Sequence, residues 1–243
     1  VRQGLFDWLT ADAGLRIDHH STAGTEVIPQ MGLAFSLTRD IQLKATVGKG
    51  FRNPTLMNLF MFRAKNPDLK AELIWNYELA LAGKLIDGRL RYGLNAYLLK
   101  GDNLIQTVSG QNQNTGQVEN MGVEASLAYS LDAHWSASAN YSFISKKYAI
   151  VAVPRHKFYA DATYRTERLA LTVSGEWVGR LTTSTSPEAH NSYFLLNARG
   201  SYNVLSWLKV FAKGENLLAQ RYEINAGFPM PKATFMGGIQ IDF

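Results

Sequence analysis

The chain has no cysteine among its 243 residues. That excludes a disulfide scaffold and any zinc or iron–sulfur site built on thiolates. Long apolar runs are missing too. No stretch of about 18 consecutive apolar residues occurs, so no transmembrane helix is encoded. The opening carries no secretory leader: Val1-Arg2-Gln3-Gly4 runs directly into Leu5-Phe6-Asp7-Trp8. A chain that is strand-like from its first residues reads as starting inside a longer protein. H-E-x-x-H, C-x-x-C, G-x-S-x-G and P-loop patterns are all lacking. Gly48-Lys49-Gly50 is a glycine-containing strand end rather than a phosphate cradle. The expectation is therefore a protein that is not an enzyme and has no cofactor and no metal site.

What is present is aromatic and thinly spread. Phe, Tyr and Trp number 12, 11 and 5, while mean hydropathy is −0.14. Apolar residues distributed through a polar chain are what a transmembrane β-barrel requires, because only alternate strand positions meet lipid. The period is 2 in segment after segment. Trp135, Ala137, Ala139, Tyr141 and Phe143 alternate with Ser136, Ser138, Asn140 and Ser142. Leu169, Leu171, Val173, Gly175 and Trp177 alternate with Ala170, Thr172, Ser174 and Glu176. The final stretch, Ala233 to Phe243, sets Phe235, Ile239, Ile241 and Phe243 against Thr234, Met236, Gln240 and Asp242. At roughly 3.4 Å per residue and a tilt near 45°, about ten residues cross an outer-membrane hydrocarbon core.

About twelve such segments can be read, against a base expectation of even strand numbers in bacterial barrels. The first runs from Leu5 to Asp18. Tight turns, such as Asp87-Gly88, Leu131 to His134 and Thr166 to Arg168, alternate with long connections. The long ones are Arg52 to Leu73, Ile105 to Gln117, Lys146 to Lys157, Arg180 to Tyr193 and Asn216 to Lys232. Gln111 to Asn114 reads as a flexible loop tip. This short–long rhythm is the layout of an outer-membrane barrel, with turns in the periplasm and loops outside. The fold class expected is all-β, an antiparallel transmembrane β-barrel. A soluble β-sandwich is the alternative, and it would show less regular strand lengths.

An ordered series of motifs carries a family resemblance. The third strand ends in Gly48-Lys49-Gly50-Phe51-Arg52-Asn53-Pro54-Thr55. Asn66-Pro67-Asp68-Leu69-Lys70-Ala71-Glu72 follows, then Tyr77-Glu78. Further on come Asn114-Thr115-Gly116, Pro154-Arg155-His156, Gly214-Glu215-Asn216-Leu217-Leu218 and Arg221-Tyr222. The chain resembles the TonB-dependent outer-membrane receptors along essentially its whole length. Ala71 stands where that family usually has Pro, and Pro231-Lys232 where Pro-Gly-Arg is common. The resemblance implies a barrel of about 22 strands around an N-terminal plug, of which residues 1–243 would be the C-terminal part, without plug or N-terminal strands. It implies the TonB complex as partner, a small-molecule metal chelate as ligand and the bacterial outer membrane as location. The terminal Phe243 resembles the signal read by the barrel-assembly machinery.

Candidate site residues follow from residue type and place. Met57, Phe60, Met61 and Phe62 are apolar in a segment expected outside the membrane, with Arg63 and Lys65 directly after. They read as a binding lip, aromatic contacts for an organic scaffold and cations for its anionic groups. Packing against a neighbouring loop or plug explains the apolar residues equally well. Lys146, Lys147, Arg155 and Lys157 lie in one connection with no acid; they suit an anionic ferric siderophore or the phosphates of lipopolysaccharide. Glu78, Arg91, Asn95, Glu124, Asp161, Glu176 and Arg199 fall at inward strand positions and read as lumen- or plug-facing. Of the five histidines, His156 and His190 fall in different outer loops that can meet above the barrel, and His134 in a turn; all five read as ordinary surface residues. No His lies between the Phe51-Arg52 and Asn66-Pro67 motifs, which lowers haem as a substrate. Net charge of +5 is a mild excess that nucleic acid, anionic lipid or an anionic ligand would each explain; the membrane pattern leaves membrane lipid and ligand as the expected partners and no nucleic acid. Three functions compete: TonB-energised uptake of a ferric siderophore or cobalamin-like chelate, a passive pore of about 12 strands, and an outer-membrane hydrolase. The first is expected.

Overall fold

The computed structural model describes residues 1–242; Phe243, the expected assembly signal, lies outside the described residues. The strands are β1 (Arg2–Phe6), β2 (Leu9–His20), β3 (Gly24–Ser36), β4 (Ile41–Arg52), β5 (Glu72–Leu85), β6 (Leu90–Val108), β7 (Gln111–Ser130) and β8 (Trp135–Lys146). They continue as β9 (Pro154–Arg165), β10 (Leu169–Thr185), β11 (Glu188–Leu205), β12 (Leu208–Glu215), β13 (Glu223–Asn225), β14 (Phe228–Pro229) and β15 (Thr234–Ile241). One short helix, α1 (Leu56–Phe60), interrupts them. All strands but β13 and β14 form one sheet in chain order, so each strand pairs with its sequence neighbours. Two compact units divide the chain. The first comprises Val1–Ala82, Asn95–Val123 and Ser145–Tyr148; the second comprises Gly83–Leu94, Glu124–Ile144 and Ala149–Phe243.

In the second unit the register carries the sequence alternation across the four strands β8 to β11. Ala137 pairs with Ala162, Ala162 with Val173, and Val173 with Ala198. One face thus collects Tyr141, Phe158, Trp177, Phe194, Val173 and Ile239, and it is not covered by protein: Val173 is 52 % exposed and Ile239 65 %. The other face collects Ser138, Asp161, Ser174 and Asn197 in one register row. A sheet whose large apolar residues are its most exposed ones fits lipid as the solvent on that side. Aromatic residues edge the apolar face, with Trp135 against Tyr164 at 4.9 Å between ring centroids and Tyr141 directly opposite Phe158.

The first unit repeats the pattern. Leu15 pairs with Pro29 and Ile17 with Val27 on the apolar face; Thr10, Asp12 and Arg16 occupy the alternate positions. Leu15 and Ile17 are both exposed. Phe6 and Trp8 stack at 5.4 Å, and Trp8 stacks on Phe35 at 6.1 Å.

Several expectations change. Leu5 to Asp18 is two strands, because Asp7 and Trp8 form a turn whose aromatic neighbour sits on the apolar edge. The sheet therefore has thirteen strands rather than about twelve. Two expected long loops are hairpins: β6 and β7 meet at a turn of Ser109 and Gly110, and β10 and β11 continue to Thr185 and Glu188. Strands that leave the membrane need no apolar face, so their sequence turns polar while the ladder continues. His156 is on β9, where Tyr141 Oη and His156 Nδ1 are 2.9 Å apart and Trp177 is beside its ring. His190 faces Glu188 at 3.2 Å. Each histidine is engaged within the sheet rather than meeting the other in a loop.

Candidate ligand-binding rim

At the loop end of the first unit, α1 is held by a capping box. Asn58 N donates to Thr55 Oγ1 at 3.2 Å, and Thr55 N donates to Asn58 Oδ1 at 3.0 Å. Leu59 points into the protein and is 1 % exposed; Leu69 and Ala71 are buried as well. Full burial of a leucine contributes about 1.5–3 kcal/mol, enough to fix one side of so short a helix. The other side stays open: Leu56, Met57, Phe60, Met61 and Phe62 are all at least half exposed. Phe62 has φ 65°, a left-handed backbone that costs an aromatic residue about 1 kcal/mol or more. Arg63 and Lys65 follow, exposed, and neither forms an ion pair among the described residues.

The base beneath this lip is a lattice of asparagines. Asn66 N donates to Asn58 O at 2.9 Å, and Asn66 Nδ2 to Asn112 O at 2.8 Å. Asn112 N donates to Ala64 O at 2.7 Å, and its Nδ2 to Asn58 O at 3.3 Å. Asn114 Oδ1 accepts from Lys70 N at 2.8 Å, while its Nδ2 donates to Lys70 O and Asn103 O. Beside them Glu72, 7 % exposed, accepts from Ile105 N at 2.8 Å and from Arg52 through both Nη2, at 2.6 Å, and Nε. The Arg52 hydrogen bond holds the Glu72 carboxyl below its ordinary range, and desolvation opposes it. One carboxylate thereby ties the ends of β4, β5 and β6. In the sequence Arg52, Asn66, Glu72 and Asn114 stand out as motif residues with no visible partner, and Asn112 does not stand out at all. Gln111 to Asn114, expected as a flexible loop tip, instead begin β7, and Asn112 is buried. Strand parity in a polar tract was the signal available.

The expected basic connection is divided between the two units. Lys146 closes β8, and Lys147 Nζ lies 5.8 Å from the Tyr148 ring, both in the first unit. Arg155 belongs to the second unit, over the Phe143 ring at 5.8 Å. Lys157 pairs with Glu176 at 3.1 Å. Glu176 and Arg199 lie on the face opposite Trp177 and Leu171. Glu78 alternates with the exposed Tyr77 and Leu79, Asn95 with Leu94, and Glu124 with Val123; Arg91 stands two and four places from Gly93 and Asn95 on β6. Asn95 Oδ1 is buried with no hydrogen-bond partner among the described residues.

The loop end of the second unit is built differently. Val178, Leu181 and Tyr193 are buried, with Leu195, Tyr222 and Ile224 packed against them. Tyr193 and Tyr222 lie 4.2 Å apart between ring centroids. Burial, then the negative charge of Glu176, pushes the Tyr193 hydroxyl up to about 12. Asn216, buried with φ 50°, closes the following connection by donating from Nδ2 to Gln220 O and Pro231 O.

Comparison with known proteins places this geometry. Residues 3–217 match the family model described as TonB dependent receptor-like, beta-barrel. A vitamin B12 transporter BtuB from Photobacterium profundum is 25% identical over 236 residues, covering 89% of this chain and 38% of that protein. The BtuB of Vibrio cholerae is 25% identical over 248 residues, covering 97% and 40%. Among solved structures, a ferric enterobactin receptor (PfeA) mutant from Pseudomonas aeruginosa in complex with enterobactin superposes at TM-score 0.87 with 20% identity, over 100% of this chain and 44% of that one. The siderophore receptor PirA from Acinetobacter baumannii gives TM-score 0.86 with 15% identity, over 100% and 44%. The chain spans about two fifths of the length of the curated relatives it matches.

Proposed function

The chain belongs to the TonB-dependent receptor β-barrel family, whose members are outer-membrane proteins, and on that premise we propose that it supplies wall and outer rim to a receptor importing a bulky metal chelate. The single observation that carries this reading is the lip of the first unit. Five consecutive or near-consecutive apolar residues stay exposed on a base fixed by buried leucines and an asparagine lattice, followed by Arg63 and Lys65, which form no ion pair among the described residues. A rigid apolar surface beside Arg63 and Lys65 suits an organic scaffold carrying anionic groups. A ferric siderophore has that chemistry. Cobalamin is the second reading, favoured by the vitamin B12 transporters among the relatives.

In this reading Met57, Phe60, Phe62, Arg63 and Lys65 contact the ligand. Lys146, Lys147 and Arg155 attract it or meet lipopolysaccharide. Glu78, Arg91, Asn95, Glu124, Glu176 and Arg199 face a plug supplied by the rest of the protein, and the TonB complex provides energy from the inner membrane. Phe243 serves the barrel-assembly machinery. The test is uptake in cells where the native protein is the only such receptor, with and without TonB. Uptake of a labelled ferric siderophore, lost on TonB deletion, is expected. Uptake of cobalamin alone would move the substrate to the second reading, and TonB-independent entry of both would overturn the importer.

A further inference from the structure

On the apolar face of the second unit, Phe143, His156 and Gly179 form one register row at the loop end. Tyr141, Phe158, Trp177 and Phe194 form the next row away from the loops. Gly179 has no side chain, and the Trp177 ring fills its place: a Cβ there would meet the indole at 2.7 Å. The His156 ring therefore stands between two others, 6.0 Å from Trp177 and 5.1 Å from Phe143 between centroids. Tyr141 Oη is 2.9 Å from His156 Nδ1. When that hydroxyl donates, the imidazole proton sits on Nε2, which is then the ring's remaining donor. Arg155 joins the row. Its strand position alternates with that of His156, yet its guanidinium carbon lies 5.8 Å from the centre of the Phe143 ring. The cation thus reaches round the start of β9 to the apolar side. It forms no ion pair among the described residues, whereas Lys157, two places on, meets Glu176 at 3.1 Å.

A plug would meet the polar face, so it supplies no partner for these groups. Strands β8, β9 and β10 are adjacent in the sheet, so the side chains flanking His156 on the apolar face all belong to this unit. What is left to meet a guanidinium and an imidazole N–H there is lipid. A long cationic side chain at the edge of an apolar band reaches headgroup level, and aromatic rings sit at the same depth. In the outer leaflet of an outer membrane, the anionic headgroup at that depth is the phosphorylated lipid A base of lipopolysaccharide. We propose that Arg155 and His156 bind a phosphate of lipopolysaccharide, with Phe143, Tyr141 and Trp177 seating the acyl chains beside it. The guanidinium offers forked donors to the phosphate oxygens, and the imidazole adds one more. This assigns Arg155 to lipid rather than to an imported ligand. It depends on the outer-membrane location and not on the uptake reading.

The test uses the native protein, stripped of lipid in detergent and titrated with three probes: phosphorylated lipid A, dephosphorylated lipid A and phosphatidylglycerol. One saturable site is expected for phosphorylated lipid A, at least tenfold tighter than for either of the others and weakened by salt. The double variant Arg155→Gln, His156→Phe keeps the aromatic row and removes the donors; it should lose at least tenfold in affinity. Arg155→Lys, which keeps the charge but not the fork, should lose only a few-fold. Arg63→Gln at the rim should leave lipid A binding unchanged, so failure here is separable from failure of the uptake reading. Resistance to SDS at room temperature verifies that the double variant is folded, and Arg155→Gln alone is the substitute if it is not. Equal binding of dephosphorylated lipid A overturns the proposal by reducing the site to apolar packing. Equal binding of phosphatidylglycerol overturns the assignment to lipopolysaccharide. Lipid A binding indifferent to the double variant, or no saturable binding, overturns the site itself.

Discussion

Val173 and Leu181 stand on one strand, β10, yet the first is 52 % exposed and the second 2 %. The difference lies in the solvent on each side. Around Val173 the sheet has a polar face and a bare apolar face, and lipid replaces a protein core. At Leu181 the strand has left that band, and water restores the ordinary rule that apolar side chains cover one another. Among the described residues, the buried hydrophobic core residues, Leu59, Leu69, Ala71, Val178, Leu181 and Tyr193, lie at the loop ends. The two loop ends then solve the same problem with different means. The first unit fixes its base with Asn58, Asn66, Asn112 and Glu72, and the second with Tyr193, Tyr222 and Leu181.

The largest effect should come from emptying that second cluster. Leu181→Ala is expected to cost about 2–5 kcal/mol, seen as protease cleavage of the β10–β11 hairpin while the rest of the sheet stays folded. Next, Val173→Arg should cost about 2–4 kcal/mol in bilayers, whereas Ser174→Arg on the adjacent, polar-facing position should change little; equal costs in refolding titrations would break the distinction between faces. Glu72→Gln should cost about 1–3 kcal/mol by weakening charge-assisted bonds to Arg52 and Ile105, read as faster amide exchange in α1 and at the start of β5.

The smallest effects are pH-dependent and opposite in sign. Glu72 has a lowered pKa, so its contribution is complete above the ordinary glutamate value and is lost as pH falls through the depressed one. Tyr193 has a raised pKa, so its contribution is complete below the ordinary value of 10.0 and is lost as pH rises towards about 12. Phenolate absorbance should show the buried Tyr193 hydroxyl ionising well above the ordinary tyrosine value, towards about 12, and acid should loosen the first unit's loop end before the second's.

The alternation of Trp135 to Phe143 and Leu169 to Trp177 was legible because period 2 survives wherever one face must be apolar. It faded where strands left the membrane: Ile105 to Gln117 and Arg180 to Tyr193 look like loops because nothing requires an apolar face there. Asp7 and Trp8 hid a turn because the aromatics beside it belong to the interface. Arg52 and Glu72 were visible as motif residues, but their contact with Ile105 joins positions 33 apart in sequence, and no local pattern encodes that. Leu59 and Phe60 look alike in sequence, yet Leu59 is buried and Phe60 exposed, because the side of the helix that meets the protein is set by contacts distant in sequence.

The central claim is that the exposed lip of the first unit binds the imported chelate. Its most direct test is equilibrium binding of a ferric siderophore, and separately of cobalamin, to the native protein and to the variant Phe60→Ala, Phe62→Ala, Arg63→Gln. A loss of at least tenfold in affinity for the ligand that binds, with the variant still folded, is the result predicted. Unchanged affinity would contradict the account and assign those apolar residues to packing within the whole protein.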